Sequence, residues 1–432
     1  MIDNALVRAL QHMVGDRLQL QQHAAKAAGR PGLLGESERQ YARQLISEVI
    51  GDHTEGLLVA GSPPLDWSDE RQLAEAVYAR MFGAGRLQRL LDDDRIENID
   101  INGPAEVWVT YAGGDRVAAE PVADSDEELI ELVQTLASYA GLNSRPFDAA
   151  NPELDLRLPD GSRLSAVMQV TEHPAVSVRR HRFAKVELAD LVGNGTLTDE
   201  VADFLSAAVL ARANVMIAGA TNVGKTTMLR ALAAQIPPTE RIVTIEKALE
   251  IGLRHNADRH PDVVEMEERV ANNEGHGAVS MPQLVRRTLR MNPDRVIVGE
   301  VLGPEIVTML NAMSQGNDGS LSTIHARTAR GVFTRIATYA LQADERLPAD
   351  ACQQLIAGGL DFVVYLAKDG SRRYVDSVLE INGHDPAVGV AASEVFTLDV
   401  AGYAVRNHEV AISREPALIA AGWRPLEAGW MT

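Results

Sequence analysis

The chain has 432 residues, 46% hydrophobic and 23% charged, with a formal net charge of −19. That length suits two or three domains, and that composition a globular protein with ample core. So acidic a chain is ill suited to neutralising nucleic-acid phosphates, and one cysteine, Cys352, excludes an intrachain disulfide or a cysteine-rich zinc site.

The first residues, Met1-Ile2-Asp3-Asn4-Ala5-Leu6, lack the basic start and apolar run of a signal peptide. No apolar stretch is long enough to span a bilayer. The expectation is a cytoplasmic protein that meets a membrane only through partners. Leu6, Leu10, Val14 and Leu18 recur at helical spacing, Gly29-Arg30-Pro31-Gly32 breaks the pattern, and a second helix follows around Ala42–Ile50. Gly61-Ser62-Pro63-Pro64 reads as a linker that closes an N-terminal helical segment, residues 1–62.

An α+β domain is expected over 68–185. Helices fall near 69–82 and 86–92. Ile99–Ile101 and Val107–Val109 read as strands turned by Asn102-Gly103-Pro104. Ser125 and Glu128 form a capping box before an apolar helix face. Further strands lie near Leu154–Leu158, Leu164–Met168 and Ala175–Val178, with a Pro159-Asp160-Gly161 turn between the first two.

Gly193-Asn194-Gly195 marks the next boundary, and a third domain is expected over 197–432. Apolar strands at Val215–Ala218, Ile242–Ile245, Arg295–Val298 and Ser320–Ile324 alternate with helices around 225–236, 281–291 and 304–315. Ser280 and Gln283 cap the middle one. This alternation predicts an α/β fold with a mostly parallel, helix-covered sheet.

The sharpest motif is Gly219-Ala220-Thr221-Asn222-Val223-Gly224-Lys225-Thr226, a phosphate-binding P-loop. It follows an apolar strand and precedes a helix beginning at Thr227, the setting in which loop amides and a helix N-terminus wrap a phosphate. Lys225 is expected to bridge the β- and γ-phosphates of ATP and Thr226 to ligate Mg²⁺. Glu246 and Glu300 each end an apolar strand. In a parallel sheet such ends gather beside the phosphate loop, so both carboxylates are expected to face Mg²⁺ or the attacking water, with His325 near the γ-phosphate. His255, His260, Glu265, Glu267, Glu268 and His276 match no zinc spacing and read as an exposed acidic loop.

These stretches together resemble the secretion ATPase superfamily of type II and type IV secretion ATPases and pilus motors, in particular its Tad/Flp, CpaF-like branch, close to VirB11. Leu289–Val301 is similar to that family's Walker B region, Arg241–Glu250 to its Asp box, Gly316–His325 to its His box, and Glu97–Gly103 with Arg157–Arg163 to its N-terminal domain. The resemblance implies a RecA-like P-loop ATPase domain preceded by a smaller α+β, PAS-like domain and a helical segment. It implies a cytoplasmic hexameric ring that hydrolyses ATP with Mg²⁺ at an inner-membrane platform protein of a pilus or secretion system, with no direct nucleic-acid contact. It also implies that Arg157, Arg163 and Arg179 reach the nucleotide. Three positions depart from the pattern. Lys247 replaces an acid, Leu302 an arginine and Asn317 a histidine. A RecA-like DNA translocase, or an assembly subunit that binds nucleotide with little turnover, are the other readings of the same motifs.

Overall fold

The computed structural model describes residues 4–27, 36–111, 114–139, 146–158, 160–180, 185–269, 271, 276–314, 316, 318–370 and 372–425. The Gly29–Gly32 break, Pro159, Asn317 and the last seven residues lie outside them. The chain divides into two compact units, Met1–Arg182 and Phe183–Thr432.

In the first unit, α1 (Asn4–Ala27) and α2 (Glu36–Val59) are followed by α3 (Trp67–Phe82) and the short α4 (Gln88–Asp92). The helical spacing seen in the sequence is a buried stripe: Leu10, Val14, Leu45, Ile46 and Val49 pack with Leu73 and Val77 of α3. The N-terminal helices thus share a core with α3. Asp66 caps α3 by accepting the Asp69 N–H at 2.8 Å.

β1 (Ile96–Asn102), β2 (Val107–Tyr111), β3 (Arg116–Ala119), β4 (Glu153–Arg157), β5 (Arg163–Val167) and β6 (Ala175–Arg179) form an antiparallel sheet in the order β3-β2-β1-β6-β5-β4, covered by α5 (Asp126–Tyr139). β3 was not expected, since Arg116–Ala119 is largely exposed and lacks an apolar run. The capping box at α5 is half formed. The Ser125 hydroxyl accepts the Glu128 N–H at 3.2 Å, but the Glu128 carboxylate accepts from the Asp124 N–H and pairs with Arg80.

The second unit begins with α6 (Leu188–Gly193) and α7 (Asp199–Leu210), so the Gly193–Gly195 turn lies inside it. β7 (Val215–Gly219), α8 (Lys225–Ala233), β8 (Ile242–Glu246), β9 (Val263–Glu267), α9 (Met281–Thr288), β10 (Arg295–Val301), α10 (Glu305–Ser314) and β11 (Leu321–His325) follow. α11 (Gly331–Gln342), α12 (Ala349–Gly359), β12 (Phe362–Asp369), β13 (Arg372–Asp385), β14 (Gly389–Leu398), β15 (Ala404–Arg406) and α13 (Glu415–Ala420) complete it.

The sheet order is β15-β14-β13-β12-β7-β11-β10-β8-β9, parallel from β12 to β9 and antiparallel through β13–β15. β7 is buried on both faces, as its unbroken apolar run requires. Val215 and Ile217 pack with residues of α7 and α8, Met216 and Ala218 with those of α9 to α12. This α/β/α sandwich is the RecA-like architecture expected.

Two sequence expectations are corrected. The acidic loop proposed over 255–276 contains β9, which pairs in parallel with β8 and carries Glu265 and Glu267 as half-buried strand residues. Its charged alternation hid an edge strand. His260 is buried and His276 exposed, and no metal-binding group of three such side chains occurs among the described residues. The antiparallel extension β13–β15 was also not expected, because its strands mix polar and apolar residues, with Ser377 and Glu380 buried beside Val378 and Leu379. No described helix is long and apolar enough to cross a membrane.

Candidate active site

β7 delivers the phosphate loop at the centre of the sheet. Its two neighbours, β11 and β12, run parallel to it, with His325 and Leu366 both level with Gly219. Backbone packing decides the glycine there. A Cβ on Gly219 would lie 2.6 Å from the Leu366 carbonyl oxygen and 2.7 Å from Val223 Cγ2. Gly224 caps α8 with φ 95° and Asn222 takes φ 62°, so the loop closes through two left-handed residues. Ala220, Thr221, Asn222 and Thr227 are exposed, Thr226 is half-buried at the helix start, and Val223 is buried.

Lys225 is only 7% exposed. Its Nζ donates to the Ala220 carbonyl at 3.1 Å, inside its own loop. It also lies 3.2 Å from His325 Nδ1, 3.4 Å from His325 Nε2 and 3.7 Å from Glu300 Oε1. His325 Nε2 lies 2.9 Å from Glu300 Oε1. Because an ammonium only donates, a neutral ring offers it Nδ1 as acceptor and keeps the Nε2 proton for Glu300. Burial, then the Lys225 charge, pushes the His325 pKa down and favours that neutral form, with Glu300 opposing. Burial also pushes Lys225 down, against the pull of Glu300. The sheet order explains the convergence: β11 lies between β7 and β10, so its last residue stands between the loop lysine and the β10 carboxylate. Thr323 Oγ1 donates to the Gly299 carbonyl at 2.7 Å and fixes β10 beside it.

Glu246 is placed differently. It is 3% exposed, and its Oε1 accepts the N–H groups of Glu250 and Ile251 at 2.8 and 2.9 Å. Oε2 is buried without a hydrogen-bond partner. Burial pushes its pKa up to about 7, against those two hydrogen bonds. Gly299 makes room for it: a Cβ there would sit 2.8 Å from Glu246 Cγ. Its hydrogen bonds and ion pairs among the described residues do not include Lys225, Glu300 or His325.

In the first unit, Arg157, Arg163 and Arg179 stand in one row, since Arg157 pairs with Arg163 and Arg163 with Arg179 across β4, β5 and β6. They sit on the face opposite buried Leu154, Leu164 and Val178. Like charges directly opposed on neighbouring strands repel. Of the departures, Lys247 is exposed at the surface and Leu302 is 41% exposed. The Leu302 N–H donates to Glu305 Oε1 at 2.6 Å.

Residue-by-residue reading missed Arg230 and Glu305. Arg230, on α8, donates to the Glu250 carbonyl and lies in the field of Glu246 and Glu250. Glu305 is buried at 4% exposure and accepts the N–H groups of Leu302 and Gly303, closing the turn after β10. The signal for Arg230 was its place on the helix that follows the phosphate loop.

Residues 82–368 match the family described as Type II/IV secretion system protein. The chain belongs to that family. A Mycobacterium tuberculosis (strain ATCC 25618 / H37Rv) protein named for conjugal transfer is 36% identical over 310 residues, covering 69% of this chain and 85% of that protein. The type IV secretion system protein VirB11 of Brucella suis is 29% identical over 323 residues, covering 68% and 87%. The X-ray structure of the Legionella pneumophila ATPase DotB shares the fold, with a TM-score of 0.52 at 19% identity over 70% of this chain and 80% of that one. The chain is therefore a nucleotide-binding ATPase of the type II/IV secretion family.

Proposed function

We propose that this ATPase is a hexameric motor of a Tad-type or related type IV pilus, or of a type II/IV secretion system, turning ATP hydrolysis into work on an inner-membrane platform protein. The observation that carries the reading is the meeting of Lys225, Glu300 and His325 under the phosphate loop. In the roles proposed, the loop amides of 219–226 and the N-terminus of α8 hold the phosphates, and Lys225 leaves Ala220 for the β- and γ-oxygens. Thr227 follows on the first turn. Glu300 orients the attacking water and takes its proton, and His325 holds Glu300 in place and senses the γ-position.

The hydroxyl of Thr226 and the carboxylate of Glu300 are hard oxygen donors of the kind Mg²⁺ takes, and the unpartnered Glu246 Oε2 is a third. When bound there, Mg²⁺ would neutralise charge on the β- and γ-phosphates. The row Arg157–Arg163–Arg179 is proposed to supply cationic charge to a nucleotide of its own or a neighbouring subunit.

Mass photometry of the full chain with saturating ATP and Mg²⁺, run beside Lys225→Ala, tests the ring. Six chains for wild type and failure to assemble on ATP for the variant are expected. Wild type that stays monomeric or dimeric at saturating ATP contradicts the motor as drawn.

A further inference from the structure

We infer that Arg373, with Lys368 beside it, is a positioning clamp on the phosphate loop. This rests on reading residues 219–226 as the nucleotide site. β12 reaches the level of Gly219 at Leu366, continues beyond it, and returns as β13, so that Lys368 pairs with Arg373 across the hairpin. Arg373 Nε donates to the Asn222 carbonyl at 3.2 Å. Its Cδ lies 3.6 Å from where a Cβ on Gly224 would be, so its stem passes along the loop. The arginine thus binds one of the two left-handed residues that set the curvature of the loop and runs beside the other.

Three further facts separate this from an incidental surface contact. Asn222 is not a glycine, so its φ of 62° is held at some cost, and Arg373 ties down the carbonyl that this conformation presents. Lys368 and Arg373 are two cations directly opposed on neighbouring strands, a pairing that is destabilising alone and relieved by a nearby anion. Among the described residues, no carboxylate pairs with either, and Nη1 and Nη2 of Arg373 have no protein acceptor. A polyphosphate in the loop is the anion whose charge the pair suits. Arg373 would hold the loop in its wrapping shape before the nucleotide arrives, lowering the ordering cost of binding.

The test is equilibrium binding of ATP, steady-state phosphate release and melting of the full chain, for wild type, Arg373→Gln, Arg373→Lys, Lys368→Gln and Lys225→Ala. Arg373→Gln is expected to weaken ATP binding about tenfold, the loss of one charge-assisted hydrogen bond. KM should rise by the same factor while kcat falls by no more than about threefold. Arg373→Lys should recover part of the affinity. Lys368→Gln should make the salt dependence of ATP binding shallower, a readout that survives if Arg373→Gln folds poorly. ATP binding within twofold of wild type in Arg373→Gln, or an unchanged salt dependence in Lys368→Gln, overturns the clamp. Undiminished ATP binding in Lys225→Ala would instead overturn the nucleotide site itself.

Discussion

The ends of β8 and β10 look alike in sequence, each an apolar strand finishing in glutamate, yet the fold gives the two carboxylates opposite surroundings. Glu300 is 34% exposed and meets Lys225 and His325. Glu246 is 3% exposed, holds the backbone at 250 and 251, and is raised to about 7 by burial. A strand-end position brings a carboxylate to the site, but burial and partners decide whether it works on substrate or holds the frame. Glu300 is thus proposed to act chiefly in the reaction, and Glu246 to hold the frame as well.

Three measurements sharpen that contrast. The largest effect is expected from Glu246→Gln, followed by chemical denaturation from pH 5 to pH 8. A folded pKa raised from 4.5 to about 7 means that the folded state binds the proton more tightly. The stability that this gives is complete below about 4.5 and is lost as pH rises through about 7. The glutamine, which keeps the acceptor for both N–H groups and never ionises, should gain about 3 kcal/mol on wild type across that range. Parallel pH profiles for the two proteins would contradict a protonated Glu246.

Next is Gly299→Ala, whose methyl collides with the Glu246 side chain. It should cost about 1–3 kcal/mol, read from the denaturation midpoint. An unchanged midpoint would mean that Glu246 is free to swing away. The smallest effect is expected from Lys247→Asp, which replaces an exposed cation next to Glu246 with an acid. Stability should stay within about 0.5 kcal/mol, and ATP turnover within about twofold. A large gain in turnover would show that the exposed cation acts on the site after all.

Much of this was legible in the chain itself. The P-loop, its flanking strand and helix, and the strand ends bearing Glu246, Glu300 and His325 follow from apolar runs that only a buried parallel strand needs. What stayed hidden depends on tertiary neighbours. That His325 stands between Lys225 and Glu300 follows from the order of β7, β11 and β10, which strand patterns do not encode. The alignment of Arg157, Arg163 and Arg179 is a matter of register, invisible when each is read singly. β9 reads as loop in the sequence because Glu265 and Glu267 sit at the edge of the sheet, where polar side chains are tolerated. Arg373 has no local sequence signal, because it reaches the loop from a hairpin about 150 residues downstream.

The most direct test is single-turnover release of γ-phosphate from bound ATP in wild type, Glu300→Gln and Glu246→Gln, with ATP affinity measured alongside. Glu300→Gln is expected to slow release at least about 100-fold while ATP affinity stays within about threefold, and Glu246→Gln to slow it by no more than about tenfold. Rapid release from Glu300→Gln, with the hundredfold loss falling on Glu246→Gln instead, would contradict those roles.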